Sequence, residues 1–304
     1  MQAARDAACF FEGRKLMILD CAKYSGPCSC GREHPLETKM VAVEYGALNN
    51  FDEYMDRCGL TGRRTVLYDT NTYNLPGMVH VRADKEIVLE AKGLHSEKGL
   101  IEAVIPQLDD PDVIITVGSG TLMDFARYPA FKLGKPFVAI PTLASSDGFT
   151  ANICSIVIDG HKKSIPMIAP SAVICDMNII EGAPHFLTVS GMQDILSKYI
   201  SIADWKIAHL VSGEYFCPMV CSMAQEALDT MVVTAAFSID SWAPMPTPHR
   251  AIPQSSVGRV PAMNTKKAKG AEIRVENTRA FMPFLSYIKP KTSADTASTS
   301  MAPA

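Results

Sequence analysis

Short apolar runs alternate with longer stretches whose apolar positions recur at helical spacing. Residues 40–44 (Met-Val-Ala-Val-Glu) and 65–69 (Thr-Val-Leu-Tyr-Asp) read as short buried strands, with helical spacing over 48–58 between them. Residues 87–89 form another short apolar segment, and 97–107 reads as a helix leading into an apolar strand over 113–117. A further strand, 136–140, follows a helix-like segment. Strands alternating with helices predict a parallel α/β sheet. Residues 152–176 turn strand-rich again, with a hairpin candidate at 155–160 and a strand at 172–175. From about Pro184 the pattern changes. Residues 189–209 and 216–234 carry apolar positions at helical spacing, which predicts a helical second domain. Residues 241–304 are proline-rich, poorly periodic and end in small polar residues, the texture of a disordered tail.

Composition narrows the function classes. The net charge is −3, which gives no electrostatic footprint for nucleic acid or an anionic membrane. No apolar run approaches the ~20 residues that span a bilayer. Charges interrupt the first twenty residues, so they do not read as a signal peptide. The nine scattered cysteines read as reduced thiols of a cytoplasmic protein. Cys28-Ser29-Cys30-Gly31-Arg32-Glu33-His34 is either half a metal site or, more commonly for a lone Cys-x-Cys, a turn.

The chemistry concentrates in residues 117–148. The strand 113–117 runs into Gly118-Ser119-Gly120-Thr121 and opens a helix through Leu122, Met123 and Asp124. The next strand ends in Pro141 and the small polar loop Thr142-Leu143-Ala144-Ser145. Two strands ending in such loops can present bare backbone N–H groups to a phosphate-bearing cofactor, and the helix N-terminus adds partial positive charge. A plain strand-to-helix turn is the alternative. Asp124 either belongs to the cap region or orients the loop. Asp69 ends an early strand, where a carboxylate either binds a ribose or closes a turn. Asp147 follows the second loop, and Asp194 lies in Ser190-Gly191-Met192-Gln193-Asp194. The two carboxylates are expected to face each other across a cleft between sheet and helices. Each is otherwise a helix cap. His209, among apolar residues at helical spacing, reads as a satisfied core histidine and not a ligand.

Together these segments resemble the glycerol-1-phosphate dehydrogenase family, whose fold relatives are dehydroquinate synthase and the iron-containing alcohol and glycerol dehydrogenases. The resemblance covers roughly residues 24–240. It is carried by Cys28–His34, Val117–Tyr128, Pro141–Gly148, Ser190–Trp205 and Ser212–Cys217. It implies a Rossmann-like α/β dinucleotide-binding domain over 1–184, the start of an all-helical metal and substrate domain over 185–240 that is truncated, and an atypical tail over 241–304. It also implies interconversion of sn-glycerol 1-phosphate and dihydroxyacetone phosphate with NAD or NADP and a divalent metal, zinc or nickel. The cofactor would lie on Gly118–Asp124 and Thr142–Ser145, with Asp69 at the adenosine end. Asp147 would face the substrate, and Asp194 would be one metal ligand. The implied partner is a small glycerol phosphate, with no nucleic acid and no membrane span; a homodimer is compatible with the resemblance.

Two departures stand out. Ala151 occupies a cofactor-side position where the family commonly has serine. The family's two metal-binding histidines are expected after residue 240, and this chain offers only His249 there. A shifted reading frame near residue 240 accounts for the break: Gln254–Arg259 can be back-translated so that the next frame reads Ser-His-Leu-Trp-Glu. Gene sequence across this region tests that account.

Overall fold

The computed structural model describes residues 17–239. The tail after 240, with His249 and the frame-shift account, lies outside the described residues. The central sheet is built from β1 (Met17–Asp20), β4 (Met40–Glu44), β5 (Arg64–Asp69), β6 (Lys85–Leu89), β7 (Val113–Gly118), β8 (Phe137–Pro141) and β11 (Ala172–Asp176). Their spatial order is β1-β4-β11-β8-β7-β5-β6. Every neighbouring pair is parallel except β1, which lies antiparallel to β4 at one edge.

The strands are legible because both faces of the sheet are covered. Alternate residues go to opposite sides, so both sets must be apolar. Leu67, Ile114, Phe137 and Val173 join a core on one face, and Val66, Tyr68, Ile115, Val138 and Ile174 join a core on the other. Between the strands lie α1 (Phe51–Arg57), α2 (Thr70–Tyr73), α3 (Lys98–Val104), α4 (Gly120–Leu133) and α5 (Met177–Ile180). Two hairpins stand apart from the main sheet: β2 (Gly26–Pro27) with β3 (Glu33–His34), and β9 (Ile153–Ile158) with β10 (His161–Pro166). Asp159 and Gly160 turn the second hairpin with positive φ at both positions, the geometry of a tight primed turn.

From residue 185 onward the described chain is helical: α6 (His185–Leu196), α7 (Lys198–Ser212) and α8 (Pro218–Ile239). Ser197 joins α6 to α7 in helical conformation, so Asp194 and Lys198 share a face one turn apart. Gly213 ends α7 with φ 69°, the left-handed C-terminal position that glycine takes without strain.

Candidate active site

β7 and β8 are in register with Gly118 beside Pro141, so their loops emerge together at the C-terminal edge of the sheet. The Thr142 N–H donates to the Gly118 carbonyl at 3.3 Å and ties the two loops. After β5 the chain moves outward to β6; after β7 it moves the other way, to β8. This reversal opens a crevice at the strand ends, where open α/β sheets usually bind ligands.

α4 starts in that crevice. Ser119 is its N-cap, in extended conformation, and makes no side-chain cap hydrogen bond. The first-turn N–H groups are therefore left without a side-chain partner. A Cβ on Gly120 would meet nothing within 4 Å, so the backbone is open to an approaching group. Gly118 has a different reason to be glycine: a Cβ there would lie 2.2 Å from Leu122 Cδ1. Leu122 is fully buried, so its side chain packs α4 onto β7 and only its backbone faces the helix start.

A cleft of about 590 Å³ extends from this helix start toward α6. Of the residues expected from the sequence, Gly120, Thr121, Met123, Asp124, Asp147, Ala151 and Asp194 line it. Gly118, Ser119, Leu122, Thr142, Leu143, Ala144, Ser145 and Asp69 do not. Ser145 and Thr142 belong to the loop behind the cleft. Asp69 is the N-cap of α2, where its Oδ1 accepts the Thr72 N–H at 2.7 Å in a reciprocal capping box. The turn role of Asp69 is thus present in the structure.

Asp147 and Asp194 meet. The Asp147 N–H donates to Asp194 Oδ2 at 3.0 Å. Lys198 Nζ lies 2.8 Å from Asp147 Oδ2 with both side chains largely buried. Burial pushes the Asp147 carboxyl above the usual carboxylate range; the Lys198 ammonium pulls it back, and the Asp194 charge adds to the rise. Gly191, one turn before Asp194, is buried against the loop. A Cβ there would sit 2.1 Å from the Ala144 carbonyl oxygen. Glycine at this position lets α6 press directly on the backbone of the 142–147 loop.

The Asp124 carboxylate is engaged within the protein. Its carboxylate turns to Arg127 Nη1 at 3.2 Å and accepts from Ser96 Oγ at 3.1 Å. Arg127 also donates to the Ile153 carbonyl at 2.7 Å, so the pair fastens α4 to β9. Burial raises the Asp124 carboxyl and depresses the Arg127 guanidinium, each opposed by the other's charge. Arg127 Nε and Nη2 are buried without a hydrogen-bond partner, and the residue lines the cleft. His209 is exposed and not the core residue expected; its Nδ1 sits 2.6 Å from the Glu214 carbonyl oxygen, and it does not line the cleft.

Sequence reasoning passed over Lys198, Arg127, Lys162 and His95, all of which line the cleft. Lys198 had a visible signal, its one-turn spacing from Asp194. Lys162 and His95 arrive from the β9–β10 hairpin and the loop before α3, and no local spacing announces them.

Residues 28–34 form the turn that joins β2 to β3, and a second cluster of possible metal ligands gathers there. Cys28, Cys30, His34 and Cys217 bring their ligand atoms within 4.8 Å of one another. Cys217 was invisible as a partner because it is 183 positions from His34.

Comparison with known proteins agrees with this architecture. The iron-containing alcohol dehydrogenase family model matches residues 42–184. The glycerol-1-phosphate dehydrogenase of Halalkalibacterium halodurans is 33% identical over 224 residues, 70% of this chain and 56% of that one. The glycerol-1-phosphate dehydrogenase of Sulfolobus acidocaldarius is 30% identical over 248 residues, 79% of this chain and 70% of that one. This chain spans about half the length of several of the curated relatives it matches. Among solved structures, an iron-containing alcohol dehydrogenase from Thermococcus thioreducens superposes with a TM-score of 0.58 at 15% identity, covering 84% of this chain and 65% of that one. Glycerol dehydrogenase from Schizosaccharomyces pombe gives 0.53 at 24% identity, covering 65% and 52%. These structures share the fold. Among the described residues, no helix is long and apolar enough to cross a membrane. On the strength of the Sulfolobus match in particular, the chain belongs to the glycerol-1-phosphate dehydrogenase family.

Proposed function

We propose that this protein binds NAD or NADP along the start of α4 and interconverts sn-glycerol 1-phosphate and dihydroxyacetone phosphate. One observation carries the reading: an uncapped 14-residue helix N-terminus opens onto the same cleft as the Asp147–Lys198–Asp194 cluster. The dinucleotide fits the residues present. Gly120 and Thr121 would hold its pyrophosphate by backbone N–H groups and the helix dipole. The loop 142–145 and Asp69 would flank it, and Ala151 would line its site without a hydroxyl. The nicotinamide, when bound, exchanges hydride with C2 of the glycerol phosphate.

The chain's own residues do the remaining work. Lys198, Lys162 and Arg127 bring positive charge to the cleft, which suits a phosphate-bearing substrate. Asp147 is held in place by Lys198 and by its own N–H on Asp194. Its raised proton affinity suits it to take the C2 hydroxyl proton at Oδ2 as the alcohol is oxidised, and to return it in the reverse direction.

The resident metal is a different matter. Asp194 offers one carboxylate, but among the described residues it belongs to no group of three clustered ligands. The described residues therefore do not make a complete ligand set at Asp194, and no step is assigned to a metal there. A second reading is a family member that binds nucleotide without turnover. Both readings require NAD(H) binding. Gly120→Val should fill the open approach to α4 and weaken NADH binding by about tenfold or more, ~1.4 kcal/mol, in a fluorescence titration. Unchanged affinity in a variant with a native circular dichroism spectrum would remove the helix start from the site.

A further inference from the structure

The β2–β3 hairpin and the segment entering α8 converge outside the lining of the cleft. Cys28 and Cys30 lie in the hairpin turn, where the Gly31 N–H donates to the Cys28 carbonyl at 3.0 Å and Gly31 has φ 82°. His34 follows on β3 and is 1% exposed. Cys217 immediately precedes Pro218, the first residue of α8, and its sulfur accepts the Val220 N–H at 3.5 Å.

The separations are those of a coordination shell. Cys28 and Cys217 sulfurs are 3.7 Å apart, and His34 Nε2 lies 3.3 Å from Cys30 Sγ and 3.6 Å from Cys217 Sγ. A tetrahedron with zinc–sulfur bonds of ~2.3 Å and a zinc–nitrogen bond of ~2.05 Å has sulfur–sulfur edges of about 3.8 Å and sulfur–nitrogen edges of about 3.5 Å. The sulfurs are too far apart for a disulfide, whose bond is about 2.05 Å. Nε2 is the His34 nitrogen that faces the cluster. At Cys30 the surroundings favour negative charge on sulfur: the Tyr215 hydroxyl is 2.9 Å from its Sγ, and the Arg32 guanidinium stacks 3.7 Å over the Tyr215 ring.

We propose that Cys28, Cys30, His34 and Cys217 bind one zinc ion in a closed, four-ligand structural site that clamps the β2–β3 hairpin to the start of α8. Three thiolates and one imidazole suit zinc and leave no position for substrate. The clamp joins residues 189 positions apart, so it ties the first described strands to the helical region. None of the four lines the cleft, and the inference does not depend on what the cleft binds.

The test is cobalt substitution of the full chain, kept reduced. The expected result is one equivalent of tightly bound cobalt with thiolate-to-metal charge-transfer absorption and the intense visible bands of a tetrahedral site. Asp194→Asn should keep that spectrum, which separates this ion from any metal at the cleft. Cys217→Ser should lose one thiolate's share of the charge-transfer intensity and lower Tm. As isolated, the chain should contain zinc whose X-ray absorption fits three sulfurs and one nitrogen. A folded wild-type chain without thiolate–cobalt absorption would overturn the proposal. So would an intact mass showing a Cys28–Cys217 disulfide in protein purified under reducing conditions.

Discussion

Gly191 shows how a single residue couples the two halves of the site. Its missing side chain lets α6 touch the Ala144 carbonyl, which sets Asp194 against the Asp147 backbone. Gly191→Ala must move either the helix or the loop, because the obstructing atom is backbone. The expected cost is about 1–3 kcal/mol in stability, read by thermal or denaturant unfolding. A stability unchanged from wild type would mean that the close approach is not kept in solution. The Ser-Gly-x-x-Asp run was readable in the sequence, but the reason for its glycine was not. Only the packed structure shows what a Cβ would strike. Lys198 carries the same lesson. It lay in view one turn after Asp194, yet its partner Asp147 comes from a loop 51 residues earlier.

At the scale of elements, α4 is anchored at both ends of its first two turns. Leu122 covers Gly118, and the Asp124–Arg127 pair reaches Ser96 and Ile153. The pair is nearly dry, with side-chain exposures of 10% and 4%. Removing one partner leaves the other buried and uncompensated, which typically costs ~3–5 kcal/mol. Arg127→Met alone should therefore destabilise strongly, while the double change Asp124→Leu with Arg127→Met should recover much of the loss. Additive single effects in this double-mutant cycle would show that the pair is not coupled. Parallel strands and long helices were legible because burial on both faces, or a regular stripe, repeats a local signal. The Asp124–Arg127 spacing of three was local too, but its contacts to Ser96 and Ile153 come from other segments and were not legible. The turn role open to Asp69 was legible, because a capping box is local.

Among the described residues, the α/β part buries both faces of its sheet, whereas α7 leaves large apolar side chains exposed. Ile200, Ile207, Leu210 and Val211 on α7 are 57–82% exposed. Contiguous apolar surface of this kind promotes association. The chain is expected to self-associate, and Leu210→Lys with Val211→Glu should reduce that in light scattering. A wild-type chain that is a monodisperse monomer and melts cooperatively would contradict the expectation. Whole-molecule features were the least legible in the sequence, as the Cys28–Cys217 convergence shows: nothing in one segment names a partner in the other. The most direct test of the functional account is dihydroxyacetone-phosphate-dependent oxidation of NADH by the purified full chain with added zinc or nickel. The account predicts turnover that yields the sn-1 enantiomer. It also predicts that Asp147→Asn abolishes turnover while leaving NADH binding intact. A chain that binds NADH yet shows no turnover with either metal would contradict the dehydrogenase reading and leave a nucleotide-binding member of the family.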